Sequence, residues 1–464
     1  MSTYLRIEGV NLDALIFDTQ DLNTIRGGSL LLLNVAGDVR EILRPEEHEV
    51  LIAAASIGLF ILPDDGDANA IRQEVDDWIL KKYPFATFVV DVVQGDNFPA
   101  ARSLAHAKNR WRQMQSPSVV YPEPGEREGV CELDKVRPVS VSVNETDAKK
   151  GKREQSAASH VRRTYGRTQK QHFYAAQTSL KTLRQFAFGM DEIAGNSPQW
   201  GNLHDKIGLL YFDANKIGKQ SAECLVAPQR QKAFSDKLRG LQSAFLRTVL
   251  QRIQDDPLWL NDNKIRLETL LWGGDETLFV VPAWKAWEFA QWFYDFFAPH
   301  ARDAELQGVH LTFSGGLVFA HHNSPIHALK DLAKDLAQVV KDTMGKHSGT
   351  NHIAYQVLES FDSVGSDLEE FIHSRFRNPM ELCLSPEALN ALAGGMSRWR
   401  ETVPRRQLQR QLKAPGESTS LKKLKDVLDT DEAFLVLQGA TGPHACWIHM
   451  AELWDYVSPE GRKN

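Results

Sequence analysis

The chain has 464 residues, of which 42% are hydrophobic, and a net charge of −6; this length accommodates about three domains with ordinary cores. The acidic balance excludes binding to nucleic acid through overall charge, and four scattered cysteines argue against a disulfide framework and against zinc. Without a bilayer-spanning apolar run or a signal peptide, we expect a cytoplasmic protein with no membrane partner.

Residues 1–115 carry the elements of a first small domain. Apolar and alternating runs predict strands at 5–9, 51–62 (a hairpin) and 85–93, and a helix at 68–83. A further apolar helix follows the small-residue segment Arg26-Gly27-Gly28-Ser29. Taken alone, this segment is a helix entry with an exposed arginine.

Residues 116–185 are predicted to be a basic insertion, partly flexible, that joins two domains. The segment begins with a stretch rich in Pro and Glu and is then poor in apolar residues. Residues 149–170 within it are basic and carry Lys149, Lys150, Lys152, Arg153, Arg162, Arg163, Arg167 and Lys170. Such a segment either holds RNA or is a solvated loop, and the solvated loop is the more common explanation.

Residues 186–361 contain two acidic clusters, and each adjoins an apolar run. The run at 207–212 leads into Asp213, and a second run follows Asp275 and Glu276. Both runs predict buried strands that bring their carboxylates to one edge of a sheet. Such carboxylates can hold two divalent cations roughly 3.5 to 4 Å apart, which activate a ribose 3′-hydroxyl and neutralise a departing pyrophosphate. Oxygen ligands favour Mg²⁺ or Mn²⁺.

Gly273 and Gly274 precede Asp275 and predict a tight strand-to-strand turn, because such a turn needs positive φ angles. The absence of side chains also lets the backbone approach a triphosphate. An ordinary surface turn with solvated acids explains the tetrapeptide alone equally well. A glycine-bearing strand at 311–320, a helix at 326–344 and a strand at 351–357 complete the predicted domain.

The order strand, helix, hairpin, helix, strand is that of a ferredoxin-like palm. Residues 207–357 resemble the cyclase palm of the large, signature subunit of type III CRISPR effector complexes, and more distantly GGDEF nucleotide cyclases. Residues 5–33 and the hairpin at 51–62, which lacks an acidic pair, resemble the first, non-catalytic palm of that family. The predicted fold is therefore α+β: two ferredoxin-like palms, the basic insertion between them, and a mostly helical C-terminal domain at 362–464.

The resemblance implies catalytic roles for the acidic clusters. Asp213 and Asp275 would be shared metal ligands, and the main-chain carbonyl of Ala214 would complete the metal shell. Glu276 would bind the second metal or assist activation of the 3′-hydroxyl. The family commonly has Gly-Gly-Asp-Asp, whereas this chain has Gly-Gly-Asp-Glu, as the GGDEF cyclases do.

Nucleotide contacts are implied for a wider set of residues in both palms. In the second palm these are Asn215, Lys219, Gly273, Gly274, Ser314, Gly315, Lys341 and Lys346, and in the first palm Arg26, Gly28 and Ser29. Solvated lysines at a helix end explain Lys341 and Lys346 equally well. The family often carries a zinc ribbon between the palms, but only Cys131 occurs there, so we expect no zinc.

The leading hypothesis is an enzyme that joins nucleoside triphosphates, ATP above all, into a cyclic or linear oligonucleotide messenger in prokaryotic antiviral defence. The alternative is a structural subunit of an RNA-guided ribonucleoprotein that grips guide or target RNA and neighbouring effector subunits. Family members often begin with a phosphohydrolase (HD) nuclease domain. Because the first strand begins near Leu5, we expect a reduced form without it. The sequence leaves the product ring size and the oligomeric state open.

Overall fold

The computed structural model describes residues 1–43, 48–54, 56–63, 66–116, 129–145, 151–345, 350–359, 368–408 and 428–459. A four-stranded antiparallel sheet and a five-stranded mixed sheet both pack against one continuous cluster of buried apolar side chains that extends from Leu5 to Val457. Within the described ranges, no helix combines the length and apolar composition that a membrane span requires.

The first palm is a four-stranded sheet with the strand order β2-β3-β1-β4. Its elements are β1 (Ser2–Gly9), α1 (Leu12–Ile16), α2 (Leu22–Ile42), β2 (Glu49–Ala54), β3 (Ile57–Leu62), α3 (Ala68–Lys82), β4 (Phe88–Gly95) and α4 (Phe98–Gln115). Leu5 and Ile7 of β1 are fully buried in the main core, while Tyr4 points to the opposite face and packs with α4 residues such as Phe98. This alternation is the period-2 pattern of a strand covered on both faces.

Helices and short strands connect the two palms. They are β5 (Val141–Asn144), β6 (Lys152–Gln155), α5 (Ala157–Thr178), α6 (Met190–Ala194) and a 3₁₀ turn at Pro198–Leu203. The second palm sheet has the order β10-β11-β7-β12-β13, in which β13 is parallel to β12. Its elements are β7 (Lys206–Ala214), α7 (Ile217–Cys224), α8 (Pro228–Ile253), β8 (Leu260–Asn261), β9 (Lys264–Ile265), β10 (Glu268–Gly273), β11 (Glu276–Pro282), α9 (Ala283–Phe297), β12 (Phe313–His321), α10 (Ile326–Met344) and β13 (His352–Val357).

Both sheets have the βαββαβ connection and the strand order of a ferredoxin-like fold, which confirms the predicted fold class. The C-terminal region contributes helices and one 3₁₀ turn that cover the second palm. They are α11 (Leu368–Arg375), the 3₁₀ turn at Pro379–Leu382, α12 (Pro386–Thr402), α13 (Glu432–Thr441) and α14 (Ala445–Glu452).

Helix α5 corrects the prediction of a basic, partly flexible linker at this point of the chain. It is a 22-residue helix that packs along α2. Arg162 and Arg163 are buried and pair with Asp18 and Asp21, so these cations are neither solvated nor available to RNA. Lys149 and Lys150 lie outside the described residues.

A close approach of backbones joins α2 to α5. A Cβ atom on Gly27 would lie 1.7 Å from the carbonyl oxygen of Arg162, and one on Gly166 would lie 2.0 Å from that of Asn23. Only glycine permits helices to approach this closely. Gly27, which follows Arg26, therefore permits the close crossing of α2 and α5.

A buried ion cluster lies beside that crossing and ties the first palm to the second. Arg26 Nε donates to Glu268 Oε1 at 2.8 Å, and Lys170 Nζ lies 2.8 Å from Glu268 Oε2. The three side chains, from α2, α5 and β10, are at most 2% exposed. Burial tends to raise the pKa of Glu268, but the charges of Arg26 and Lys170 outweigh it and lower that pKa.

His449 joins the C-terminal helices to the second palm. Its ring nitrogens lie 2.9 Å from the Tyr355 hydroxyl and 2.8 Å from the Glu381 carbonyl oxygen. Burial lowers the pKa of His449 to about 4. The folded protein therefore holds this imidazole neutral under conditions in which the unfolded chain takes up a proton.

Stability is expected to fall as the pH drops from about 6.5 to about 4, because the unfolded state binds the proton on His449 more tightly. The loss from this residue is roughly 2 to 3 kcal/mol. Denaturation midpoints of the wild type and of His449→Gln, measured at pH 7, 5.5 and 4.5, isolate the contribution. The denaturation midpoints of the two proteins should differ most at pH 7 and approach each other toward pH 4.5. Midpoints that change in parallel with pH would contradict this role of His449.

Candidate active site

The three predicted carboxylates meet where the central strand of the second palm ends. In the antiparallel register, Asp213 of β7 is opposite Glu276 of β11 on one side and opposite Ser314 of β12 on the other. Asp275 lies in the turn between β10 and β11, and its carbonyl oxygen accepts a hydrogen bond from Ala214 N at 3.0 Å. Sheet pairing therefore places all three acids at one edge, as the sequence predicts.

Two glycines make the turn that presents Asp275. Gly273 and Gly274 have φ angles of 118° and 65°, a region that side chains disfavour. The carbonyl oxygen of Gly274 accepts from the amide of Gln242 on α8 at 3.2 Å. A Cβ atom on Gly274 would meet nothing within 4 Å, so the turn leaves open space beside its backbone.

The electrostatics of this edge favour a bound cation. Burial, and then repulsion from Asp213, raise the pKa of Asp275. Burial also raises the pKa of Glu276, with further repulsion from Asp213 and Asp275. Burial together with the nearby carboxylates Glu276 and Asp213 raises the pKa of Tyr211, whose hydroxyl lies 3.4 Å from Asp213 Oδ2. Like charges in a partly buried site raise one another's pKa until a cation compensates them.

Helix α10 supplies such cations from its own side chains. Lys341 Nζ forms an ion pair with Asp213 Oδ2. Two turns earlier, Lys334 Nζ lies 4.0 Å from Glu276 Oε2 and 5.7 Å from the centre of the Tyr211 ring. The predicted phosphate contact Lys341 is thus directed at a carboxylate. Lys346 lies outside the described residues.

The donors fit divalent cations by their chemistry. Aspartate and glutamate oxygens are the ligands that Mg²⁺ and Mn²⁺ prefer, and the carboxylates of Asp213, Asp275 and Glu276 repel one another. Within the described residues, however, no three His, Cys, Asp or Glu side chains are already assembled around a common metal position. Lys341 pairs with Asp213 Oδ2, so a cation that binds this oxygen displaces the lysine from it.

A large cavity lies between the two palms and ends at the glycine turn. Its volume is about 1220 Å³. The second palm contributes residues 271–276, and the first palm contributes Asp13, Ser29, Arg102 and His106. A pocket for one small ligand typically has about 300 to 1,000 Å³, so this cavity has room for more than one nucleotide.

The predicted contacts of the first palm divide between the cavity and the core. Ser29 lines the cavity. Arg26 and Gly28 are buried in α2, and Arg26 is bound to Glu268, which corrects the prediction that this arginine meets a nucleotide. Arg26 pairs with Glu268, a buried carboxylate of the second palm, and no local sequence pattern around Arg26 reveals so distant a partner.

Several residues of the second palm that are predicted to contact a nucleotide instead make buried contacts next to the site. Ser314 is 2% exposed and donates to Asn215 Oδ1 at 2.7 Å, and Asn215 Nδ2 donates to Thr312 Oγ1 at 3.1 Å. A Cβ atom on Gly315 would lie 2.6 Å from the Tyr294 hydroxyl oxygen, so this glycine faces the core. Ser314 and Gly315 therefore face Asn215 and Tyr294 and are not among the residues that line the cavity, which corrects their prediction as pocket residues.

Lys219 has its partner on its own helix. Its ammonium is three-quarters exposed and lies 3.9 Å from Glu223, rather than beside the acids of the site. The residues that the sequence does not reveal are Asp13, Tyr211 and Lys334. Lys334 has a detectable signal, since it precedes Lys341 by seven residues and therefore shares its face of the helix.

Comparison with known proteins agrees with this geometry. Residues 206–350 match the family model described as Cas10/Cmr2, second palm domain. No curated protein matches the chain.

Solved structures match over nearly the whole chain. A Csm1–Csm4 cassette in complex with pppApA is 14% identical, with a TM-score of 0.57, and the match covers 99% of this chain and 69% of that one. The cassette in complex with cA4 is 13% identical, with a TM-score of 0.53 and coverage of 99% and 70%. Csm1 from T.onnurineus is 14% identical, with a TM-score of 0.53 and coverage of 100% and 66%.

The family match coincides with the sheet that carries the three acids, and the structural matches extend through both palms and the C-terminal helices. At 13 to 14% identity, the structural likeness establishes the fold. Residues 206–350 therefore match the second palm domain of the Cas10/Cmr2 family, and the chain has the fold of Csm1.

Proposed function

We propose that this chain is a metal-dependent nucleotidyltransferase that joins nucleoside triphosphates, ATP above all, into a cyclic or linear oligonucleotide in CRISPR-type antiviral defence. One observation carries the proposal: three carboxylates meet at the end of a palm sheet, beside a glycine turn that opens on a cavity of about 1220 Å³ between two palms. The matched cassettes that were solved with pppApA and cA4 support adenosine nucleotides as substrates.

Asp213, Asp275 and Glu276 would hold Mg²⁺ or Mn²⁺. The bound cations would supply activation of a ribose 3′-hydroxyl and neutralisation of the triphosphate. Each cycle forms a bond between a 3′-oxygen and an α-phosphorus and releases pyrophosphate. Lys341, freed from Asp213 when a cation binds, is then positioned to pair with phosphate oxygens.

The glycine turn and the cavity wall would orient the nucleotides. Gly274 leaves open space in which a phosphate can approach the backbone. The cavity wall also includes Arg102 and His106 of the first palm. Two palms that enclose one cavity provide room for a donor and an acceptor nucleotide within a single chain.

The alternative of a purely structural, RNA-gripping subunit receives less support. The two central arginines of the predicted basic linker, Arg162 and Arg163, are buried in ion pairs. The matched cassettes do contain Csm4, so we propose that this chain also works beside another effector subunit.

Incubation of the purified chain with each labelled nucleoside triphosphate and Mg²⁺ or Mn²⁺ tests the proposal. Mass spectrometry should detect an oligonucleotide product with ATP, and Asp275→Ala should make none. Product formed equally by Asp275→Ala would reject this site. If neither protein makes product, even with RNA present, a structural role becomes the better explanation.

A further inference from the structure

Asp13 of the first palm lies close to the acids of the second palm through a shared lysine. Its Oδ2 atom lies 3.3 Å from Lys334 Nζ, and the same ammonium lies 4.0 Å from Glu276 Oε2. Asp13, Asp275 and Glu276 all line the cavity. One cation on α10 is therefore placed between a carboxylate of each palm.

The N-terminal part of α10 is docked firmly on the first palm. Ile326 N donates to Gln20 Oε1 at 3.0 Å, and His327 also bonds to the Gln20 side chain. Lys330 lies 3.3 Å from Asp13, 2.8 Å from Asp331 and 4.6 Å from the centre of the Phe17 ring. The position of Lys334 is thus set by the first palm.

The two lysines that contact Asp13 differ in the carboxylates that each would still contact if Asp13 were removed. Lys330 keeps Asp331 at 2.8 Å. For Lys334, the carboxylates within 4.0 Å in the described chain are Asp13 and Glu276. An ammonium that loses one of two carboxylates moves toward the other, because a partly exposed ion pair strengthens as its atoms approach.

We infer that Asp13 is a positioning residue that holds Lys334 away from Glu276 and so keeps this carboxylate available to a divalent cation. This inference rests on the proposed function, since it assigns the first palm a part in preparing the metal site. Lys341 already occupies Asp213. Without Asp13, Lys334 moves into direct contact with Glu276. Asp213 and Glu276 are then both paired with lysines.

Mn²⁺ binding to the purified full chain, measured from the electron paramagnetic resonance signal of free Mn²⁺, tests the inference. Asp13→Asn should weaken binding about fivefold, which corresponds to about 1 kcal/mol. Adding Lys334→Gln to Asp13→Asn should restore wild-type affinity or better, because the competing ammonium is gone. A loss through misfolding would not be rescued by the second substitution.

Asp331→Asn is the matched control. It removes the same charge beside the same segment of α10, but its partner is Lys330, so the affinity for Mn²⁺ should stay within about twofold of wild type. Wild-type affinity in Asp13→Asn, or a loss that Lys334→Gln does not rescue, would overturn this inference alone. A wild type that binds Mn²⁺ no better than Asp213→Asn would overturn the proposed metal site as well.

Discussion

Asp213→Asn should reduce oligonucleotide synthesis by about a hundredfold to a thousandfold, the scale of losing a central electrostatic group of an active site. Asp213 is the next-to-last residue of β7, the middle strand, and has both Glu276 and Ser314 as cross-strand neighbours. Asparagine keeps the size of the side chain but removes the charge that binds a divalent cation. Initial rates with labelled ATP and Mn²⁺ measure the effect.

Asp342→Asn provides the comparison for this substitution. Asp342 follows Lys341 on α10, is exposed, and accepts a hydrogen bond from Gln338 at 2.8 Å. Its loss changes the net charge equally and should leave the rate within about twofold of wild type. If Asp213→Asn kept more than about a tenth of the wild-type rate, Asp213 would not be an essential metal ligand.

Glu268→Gln is expected to destabilise the protein by about 3 to 5 kcal/mol, since it leaves buried cations without a carboxylate. Arg26 and Lys170 both bind Glu268, and burial followed by repulsion from Arg26 lowers the pKa of Lys170 to about 7. The neutral amide cannot offset that repulsion. Urea denaturation followed by tryptophan fluorescence should show a markedly lower midpoint.

Two further variants separate charge from packing at this position. Glu305→Gln, which removes an exposed partner of Lys237, should leave the denaturation midpoint close to that of the wild type. The triple variant Arg26→Met, Lys170→Met and Glu268→Leu should recover much of the lost stability, because apolar groups of similar size replace a complete buried ion cluster well. A triple variant as unstable as Glu268→Gln would contradict the electrostatic explanation.

The carboxylate edge of the second palm could be predicted because its signals are local. An apolar run fixes a strand, and the residue after it lies at the end of that strand, as Asp213 does. The Gly273-Gly274 turn then returns the chain beside that strand and presents Asp275 and Glu276. Strand pairing therefore brings the residues of these two short patterns together in one site.

The remaining features depend on partners that are distant in sequence. Arg26 looks like an exposed arginine or a nucleotide contact until Glu268, 242 residues later, is placed beside it. Asp13 carries no pattern at all, since its importance arises from the docking of α10 on the first palm. The sequence alone favours a phosphate contact or a solvated lysine for Lys341, whereas its pairing with Asp213 depends on the direction of α10 relative to the sheet.

The pairing of Arg26 with Glu268 also has a consequence for biosynthesis. Ribosomes add about 5 to 20 residues per second, so Arg26 leaves the ribosome roughly 10 to 50 seconds before its carboxylate partner. During that interval the first palm can form its own sheet, whereas α2 and α5 must wait with unpaired cations for β10. Joining of the two halves is therefore a late event during translation, and a second palm produced by itself would contain a buried glutamate without its arginine.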